Sequence, residues 1–170
     1  VELSNFLSEE QIATFAVNSY RYPNAQVVAN LKRYYPFADI TTHTTGYVSR
    51  INQNDVKKLE AEGKIDNYEG STEIGKLGIE KYYEDYLHGV TGSSKVEVNS
   101  HGQVVRTLNF DPPEPGKDIT LTLDIRLQYY AQEIFGKMKG AVVAIEPSTG
   151  EILAMYSNPS YDPNPFVRGI

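Results

Sequence analysis

The chain has no cysteine and no tryptophan. Without cysteine there is no disulfide framework, no thiolate zinc site and no cysteine nucleophile. Such a chain suits an oxidising compartment without depending on one. Basic residues are in the minority, with 16 Lys plus Arg against 22 Asp plus Glu and a net charge of −6. That balance speaks against a nucleic-acid binder, whose footprint is a basic patch. No apolar run approaches the ~18 residues of a membrane span, and no stretch reads as a signal peptide. Histidine is scarce too. His43, His88 and His101 show no ligand spacing, so neither a metal nor a cofactor is expected. Structural roles suit them better, with His88 at a helix end and His101 in a turn.

What is abundant is tyrosine, 13 among 170 residues. Tyrosines favour half-buried sheets and interfaces. The length suits one generous domain or two small modules.

Local signals set out the elements. Val1 to Leu7 reads as a short strand. Ser8-Glu9-Glu10-Gln11 is a capping box, and Ile12, Phe15, Ala16 and Ser19 then recur at helical spacing. The β-branched and aromatic run Ala25 to Tyr35 predicts a strand. Asn52 to Glu62 predicts a helix with Gly63 as its C-cap, followed by a loop over 64–76 and a short helix over Leu77–Leu87. Lys95–Val98 and Gln103–Leu108, around His101-Gly102, predict a β-hairpin. Asp111-Pro112-Pro113-Glu114-Pro115-Gly116 predicts an extended, unpaired boundary. Ile119–Leu123 predicts a strand. Asp124 caps a helix with the apolar stripe Leu127, Tyr130, Ala131, Ile134, Phe135 and Met138. Gly140–Ile145 and Glu151–Tyr156 predict strands around a Pro147-Ser148-Thr149-Gly150 turn. The Pro-rich tail 158–165 predicts no regular element.

No catalytic motif is complete. Gly70-Ser71-Thr72-Glu73-Ile74-Gly75-Lys76-Leu77 has the glycine and lysine spacing of a phosphate loop, but Leu77 stands where a hydroxyl must hold magnesium. The preceding segment is also too polar for the buried strand that such a loop follows. A flexed loop leading into a helix is the plainer reading. Gly-x-Ser-x-Gly, Ser-x-x-Lys, Ser-x-Asn and Lys-Thr-Gly are all absent. Acid pairs such as Glu84/Asp85 are sequence neighbours that do not face each other on a helix. A glycan-binding or glycan-hydrolysing domain working through separated carboxylates remains the alternative from another functional class.

An ordered series of motifs runs through nearly the whole chain. It comprises Arg33-Tyr34-Tyr35-Pro36, His43-Thr44-Thr45-Gly46-Tyr47-Val48, Gly75 to Tyr83, Leu87 to Gly92 and Val96 to Gly102. Gly116 to Asp124, Leu127-Gln128, Ala141 to Met155 and Pro159 to Asn164 complete it. The series resembles the class B penicillin-binding proteins, in the branch serving rod elongation. The resemblance is to the non-catalytic dimerisation or pedestal-and-head region plus the first transpeptidase hairpin. It implies an α+β fold: a small mixed head module over residues 1–90, an elongated antiparallel pedestal over 91–138, and the start of a transpeptidase domain over 139–170.

The resemblance also implies a function. The family's parent protein is a peptidoglycan D,D-transpeptidase of cell-wall synthesis and cell shape, anchored in the bacterial inner membrane and working in the periplasm. Its catalytic Ser lies in Ser-x-x-Lys, which no position here matches, so no catalytic, cofactor or metal residue carries over and this region is expected to be non-catalytic. The implied partners are the elongation scaffold MreC and the glycan polymerase RodA, with self-association through the hairpin as a further expectation and membrane contact only through an N-terminal helix absent from this sequence. Without the rest of its sheet the hairpin residues Val142, Val143, Ile145, Ile152 and Leu153 are expected to pair locally or stand partly exposed. Candidate partner-contact residues are Tyr34, Tyr35, Tyr47, Tyr82, Tyr83 and Tyr86.

Overall fold

The computed structural model describes residues 7–29 and 31–169. The expected strand over Val1–Leu7 falls almost wholly outside them. The chain divides into two compact units, Val1–Lys32 and Arg33–Ile170.

In the first unit, helix α1 (Glu9–Asn18) begins as the sequence requires. The Ser8 hydroxyl accepts the Gln11 N–H, and the Gln11 side chain accepts the Ser8 N–H at 2.8 Å. Phe15 stacks on Tyr22 at 6.3 Å. The expected strand Ala25–Tyr35 does not form over its described residues. Val27, Val28 and Leu31 are exposed, and β-branched side chains make a strand only where a partner and a face are supplied.

Among the described residues, the second unit contains six α-helical and two 3-10 segments and three two-stranded antiparallel sheets. Helix α2 (Thr42–Thr45) leads into strand β1 (Val48–Arg50), which pairs with β2 (Glu73–Gly75). Strand β2 lies inside the segment expected as loop. Between them stands helix α3 (Gln53–Ala61), capped by Asn52. It ends in a Schellman turn, with Gly63 N–H bonded to Glu60 O and Lys64 N–H to Leu59 O. Gly63 takes the positive φ that this turn demands.

The single helix expected over Leu77–Leu87 is two, α4 (Gly78–Tyr82) and α5 (Glu84–Leu87), broken at Tyr83. The break accompanies a tertiary demand on Glu84, whose carboxylate accepts the Gly75 N–H at 2.8 Å and the Tyr68 hydroxyl at 3.0 Å. Gly46 and Gly78 bring the end of α2 against the start of α4. A Cβ on Gly46 would lie 1.8 Å from the Leu77 carbonyl oxygen.

Strands β3 (Ser93–Val98) and β4 (Val104–Asp111) form the expected hairpin, with extra residues on β4 at two register shifts. The Asn99 side chain closes its turn by accepting the N–H groups of His101 and Gln103. The proline-rich boundary is not unpaired: Glu114 exchanges both main-chain bonds with Val90 at 2.9 Å. Ile119–Leu123 does not form the expected strand. The segment meets its neighbour through the Thr122 hydroxyl on Ile152 O, and Asp124 N–H on Leu153 O follows it. Those two bonds do not make a ladder.

Helix α6 (Ile125–Phe135) is capped by Asp124 as expected. The carboxylate holds the Arg126 N–H and forks with its guanidinium at 3.1 and 2.6 Å, and these hydrogen bonds lower its pKa to about 2. Strands β5 (Gly140–Ile145) and β6 (Ile152–Asn158) form the last hairpin. Val143, Ile145 and Ile152 stand exposed, while Val142 and Leu153 are half-buried. The tail carries one short helix, α7 (Asn164–Val167), where none was expected, because Pro163 and Pro165 already hold helical φ at its first turn.

Candidate interaction surface

Three groups of side chains merit weighing as sites. The first is a buried knot. Arg33 pairs with Glu80 at 2.9 Å, and the Tyr35 hydroxyl donates to Glu80 at 3.1 Å while accepting the Val48 N–H at 2.8 Å. The Asn164 side chain clamps the Tyr35 main chain in both directions at 3.0 Å. Tyr35, Val48 and Val167 form the apolar core here, with Tyr47 packed against it. Tyr47 stacks on Phe166 at 4.6 Å, and Tyr161 meets both rings edge-on. Burial lifts the Glu80 carboxyl above the usual range despite the Arg33 charge, and burial beside Glu80 pushes the Tyr35 phenol up strongly. All these groups have partners, so the knot is structural.

The second is a crevice of about 400 Å³ lined by Lys64, Asp66, Asn67, Tyr68, Asp85 and His88. His88 stacks on Tyr68 at 4.2 Å and lies 3.0 Å from the Ser71 hydroxyl. A Ser-His-Asn array is gathered here and suggests a nucleophile. Asn67 is oriented by two main-chain groups: its Nδ2 donates to Gly89 O and its Oδ1 accepts from Thr91 N–H, both at 2.9 Å. Its Nδ2 also faces His88 Nδ1 at 3.4 Å, and the same ring nitrogen lies 3.4 Å from Gly89 O. Both contacts are long and the ring is held chiefly by its stacking on Tyr68, so the array reads as packing rather than as an activated nucleophile. The phosphate-loop spacing is disarmed by pairing within the fold. The Gly75 amide is taken by Glu84, and Lys76 is paired with Asp55. Burial raises the Asp55 carboxyl, but the hydrogen bonds from Lys76 and the Asn52 N–H together with the Lys76 and Lys81 charges outweigh it, and the net shift is downward. Among the described residues no group of three or more metal-ligating side chains is gathered, and no helix is long and apolar enough to cross a membrane.

The third is the tyrosine set. Tyr82 is 81% and Tyr34 70% exposed, and Tyr83 and Tyr86 are exposed as well. Tyr82 meets Tyr83 edge-on at 4.9 Å, and the Lys117 ammonium sits 4.9 Å over the Tyr86 ring. The other two candidates are less accessible. Tyr35 is only 6% exposed and locked in the knot, and Tyr47 is half-buried under Phe166. Sequence adjacency put Tyr34 and Tyr35 together, but their side chains point oppositely: Tyr35 into the core, Tyr34 to solvent.

Two further surfaces escaped the tyrosine count. The ribbon β3–β4 is exposed at every residue, and its register gathers Val96, Val98, Val104 and Phe110 on one face opposite Lys95, Glu97, Arg106 and Asn109. Strict alternation in Lys-Val-Glu-Val was the available signal. The other is an apolar groove of about 220 Å³ between α6 and β5–β6, whose walls include Leu127, Ile134, Val142 and Ala154. The helical stripe was legible, but its sheet partner was not.

Comparison with known proteins places these surfaces in a family. A family model described as the penicillin-binding protein dimerisation domain matches residues 1–121, and one described as the penicillin-binding protein transpeptidase domain matches residues 140–168. The peptidoglycan D,D-transpeptidase MrdA of Escherichia coli is 52% identical over 164 residues, covering 96% of this chain and 26% of the relative. The MrdA of Salmonella typhimurium is 47% identical over 170 residues, covering 100% and 27%. The chain thus spans about a quarter of the length of the curated relatives it matches. Among solved structures, the complex between penicillin-binding protein PBP2 and MreC from Helicobacter pylori aligns with a TM-score of 0.78 and 30% identity, over 96% of this chain and 29% of that one. Pseudomonas aeruginosa PBP2 in complex with WCK 5153 aligns with a TM-score of 0.66 and 44% identity, over 84% and 27%. On these matches, the chain belongs to the penicillin-binding proteins that carry this dimerisation domain.

Proposed function

We propose that this chain is the non-catalytic positioning and partner-binding region of a longer peptidoglycan D,D-transpeptidase, acting in cell-wall synthesis and the maintenance of cell shape. The observation that carries the reading is the order of the two family matches on one chain, dimerisation domain first and transpeptidase start second. No Ser here is followed three positions later by Lys. In this reading the acyl-enzyme chemistry belongs to the rest of such a protein. Residues 1–90 serve as the head, 91–138 as the pedestal and 139–170 as the start of the transpeptidase. The region works in the periplasm, with the parent protein anchored in the inner membrane. The named relatives are transpeptidases, and the glycan-hydrolysing alternative gains no support from them.

MreC is the first partner in this reading, supported by the structural likeness to a PBP2 that was solved with MreC. RodA and a second copy of the chain follow from the resemblance. Tyr34, Tyr82, Tyr83 and Tyr86 are the proposed contacts, because exposed aromatics anchor interfaces at low entropic cost. Calorimetric titration with the periplasmic part of MreC tests this. Saturable binding is expected, weakened ~10-fold or more by Tyr82→Ala with the fold unchanged, as for an anchoring aromatic. Binding indifferent to Tyr34→Ala and Tyr82→Ala moves the contact to another face. Absence of binding overturns the MreC reading.

A further inference from the structure

Residues matched by two different family models meet at one fully enclosed side chain. Gln128 on α6 is 0% exposed. Its Oε1 accepts the Met155 N–H at 2.8 Å, and its Nε2 donates to Met155 O at 3.1 Å and to Ile40 O at 3.2 Å. The side-chain amide thus stands where a neighbouring strand would stand along the outer edge of β6, and it uses its second proton to hold the segment before α2. Both Nε2 protons and Oε1 are engaged, and among the described residues no buried side-chain polar atom is left without a partner.

Polar bonds around it repeat the same join. Gln132 donates to Asp39 at 2.9 Å. The Thr44 hydroxyl donates to Met155 O at 3.1 Å, His43 Nε2 lies 3.0 Å from Pro159 O, and Ser160 donates to Asp39 O. The buried Thr42 hydroxyl lies 2.7 Å from the carbonyls of both Ala38 and Tyr161. Segment 38–45 belongs to the dimerisation match, while Met155, Pro159, Ser160 and Tyr161 belong to the transpeptidase match. The join is therefore made largely of directional bonds, which fix orientation as well as proximity.

We propose that Gln128 is a positioning residue that fastens the hairpin β5–β6 to segment 38–45, so that the two move as one body. α6 is then the bolt between the modules, and a displacement of the dimerisation segment is delivered to the transpeptidase hairpin through the outer edge of β6. The consequence for a longer transpeptidase rests on the function proposed above, whereas the fastening itself is a property of this chain.

Amide hydrogen exchange by NMR on the 170-residue chain tests it. Gln128→Met keeps the bulk of the side chain and removes all three bonds. The Met155 amide is expected to exchange ~10–100-fold faster, the effect of one or two lost hydrogen bonds, while the Val48 amide in the Tyr35 knot changes less than ~2-fold. An unchanged Met155 rate overturns the proposal. So does an equal acceleration at Met155 and Val48, since that is the mark of a residue that only adds stability. A second measurement needs no variant. In the unaltered chain the side-chain amide protons of Gln128 and the Met155 amide should share one opening event, with the same urea dependence of exchange. Different dependences overturn the fastening even if Gln128→Met fails to fold. Neither measurement involves MreC, so its outcome is independent of the partner titration.

Discussion

In the ribbon β3–β4 the bonded residues lie at most 18 positions apart and every side chain is exposed, whereas the knot around Tyr35 joins residues as far as 129 positions apart through buried polar groups. The ribbon is held by its own ladder, a turn closed by Asn99 and an exposed Glu97–Arg106 pair at 2.5 Å. The knot depends on backbones that approach closely and on single side chains that satisfy two main-chain groups at once. The difference teaches where a substitution should hurt. A ribbon residue has solvent to fall back on, and a knot residue leaves buried groups with nowhere to bond.

The strongest attempt to break this contrast is Gly46→Ala. Gly46 has φ +72° and ψ −153°, a region reserved for glycine, and its new Cβ would meet main-chain atoms of Leu77 and Gly78. A loss of about 3–5 kcal/mol is expected in urea unfolding, the sum of backbone strain and an unrelieved clash. A loss below about 1 kcal/mol would mean that the α2–α4 approach is soft.

Tyr35→Phe comes next, at about 2 kcal/mol, because the Val48 N–H loses its acceptor and Glu80 a donor. This substitution also sharpens the comparison through pH. Burial holds the folded-state pKa of Glu80 above its ordinary value. The folded state therefore binds that proton more tightly than the unfolded state, and stability falls as pH rises through the folded pKa. The Tyr35 hydrogen bond works against the upward shift, so its removal raises the pKa further. The loss in Tyr35→Phe should thus be greater at about pH 8 than at about pH 5.

The smallest effect is expected in the ribbon. Glu97→Ala removes a pair exposed on both sides and should cost ~0–0.5 kcal/mol by the same unfolding measurement. A cost comparable to that of Tyr35→Phe would show that the ribbon is not energetically independent of its surroundings.

Legibility followed the same divide. The capping box at Ser8, the Asn52 helix with its Gly63 end, the Asp124-capped helix and both long hairpins were readable because each is written in residues a few positions apart. The strands expected at Ala25–Tyr35 and Ile119–Leu123 had suitable composition but, among the described residues, form no ladder, which composition does not reveal. Strand β2 was missed because three residues carry too short an alternation to register. At the candidate surface, a count of tyrosines grouped Tyr35 with Tyr34, although an extended chain sends neighbouring side chains to opposite sides. Gln128 was marked only as half of the Leu127-Gln128 motif in the family resemblance, and nothing in its local sequence announced a buried fastener.

By itself the sequence determined the local geometry and the family likeness, because caps, turns and periodicity act over single turns of chain and the ordered motifs stand in plain view. Tertiary structure alone decided which tyrosines face solvent, which glycines admit another backbone and which polar side chains become fasteners. Those outcomes depend on approaches between residues far apart in sequence, such as Gly46 to Leu77, Gln128 to Ile40 and Asn164 to Tyr35, and no short-range pattern encodes them.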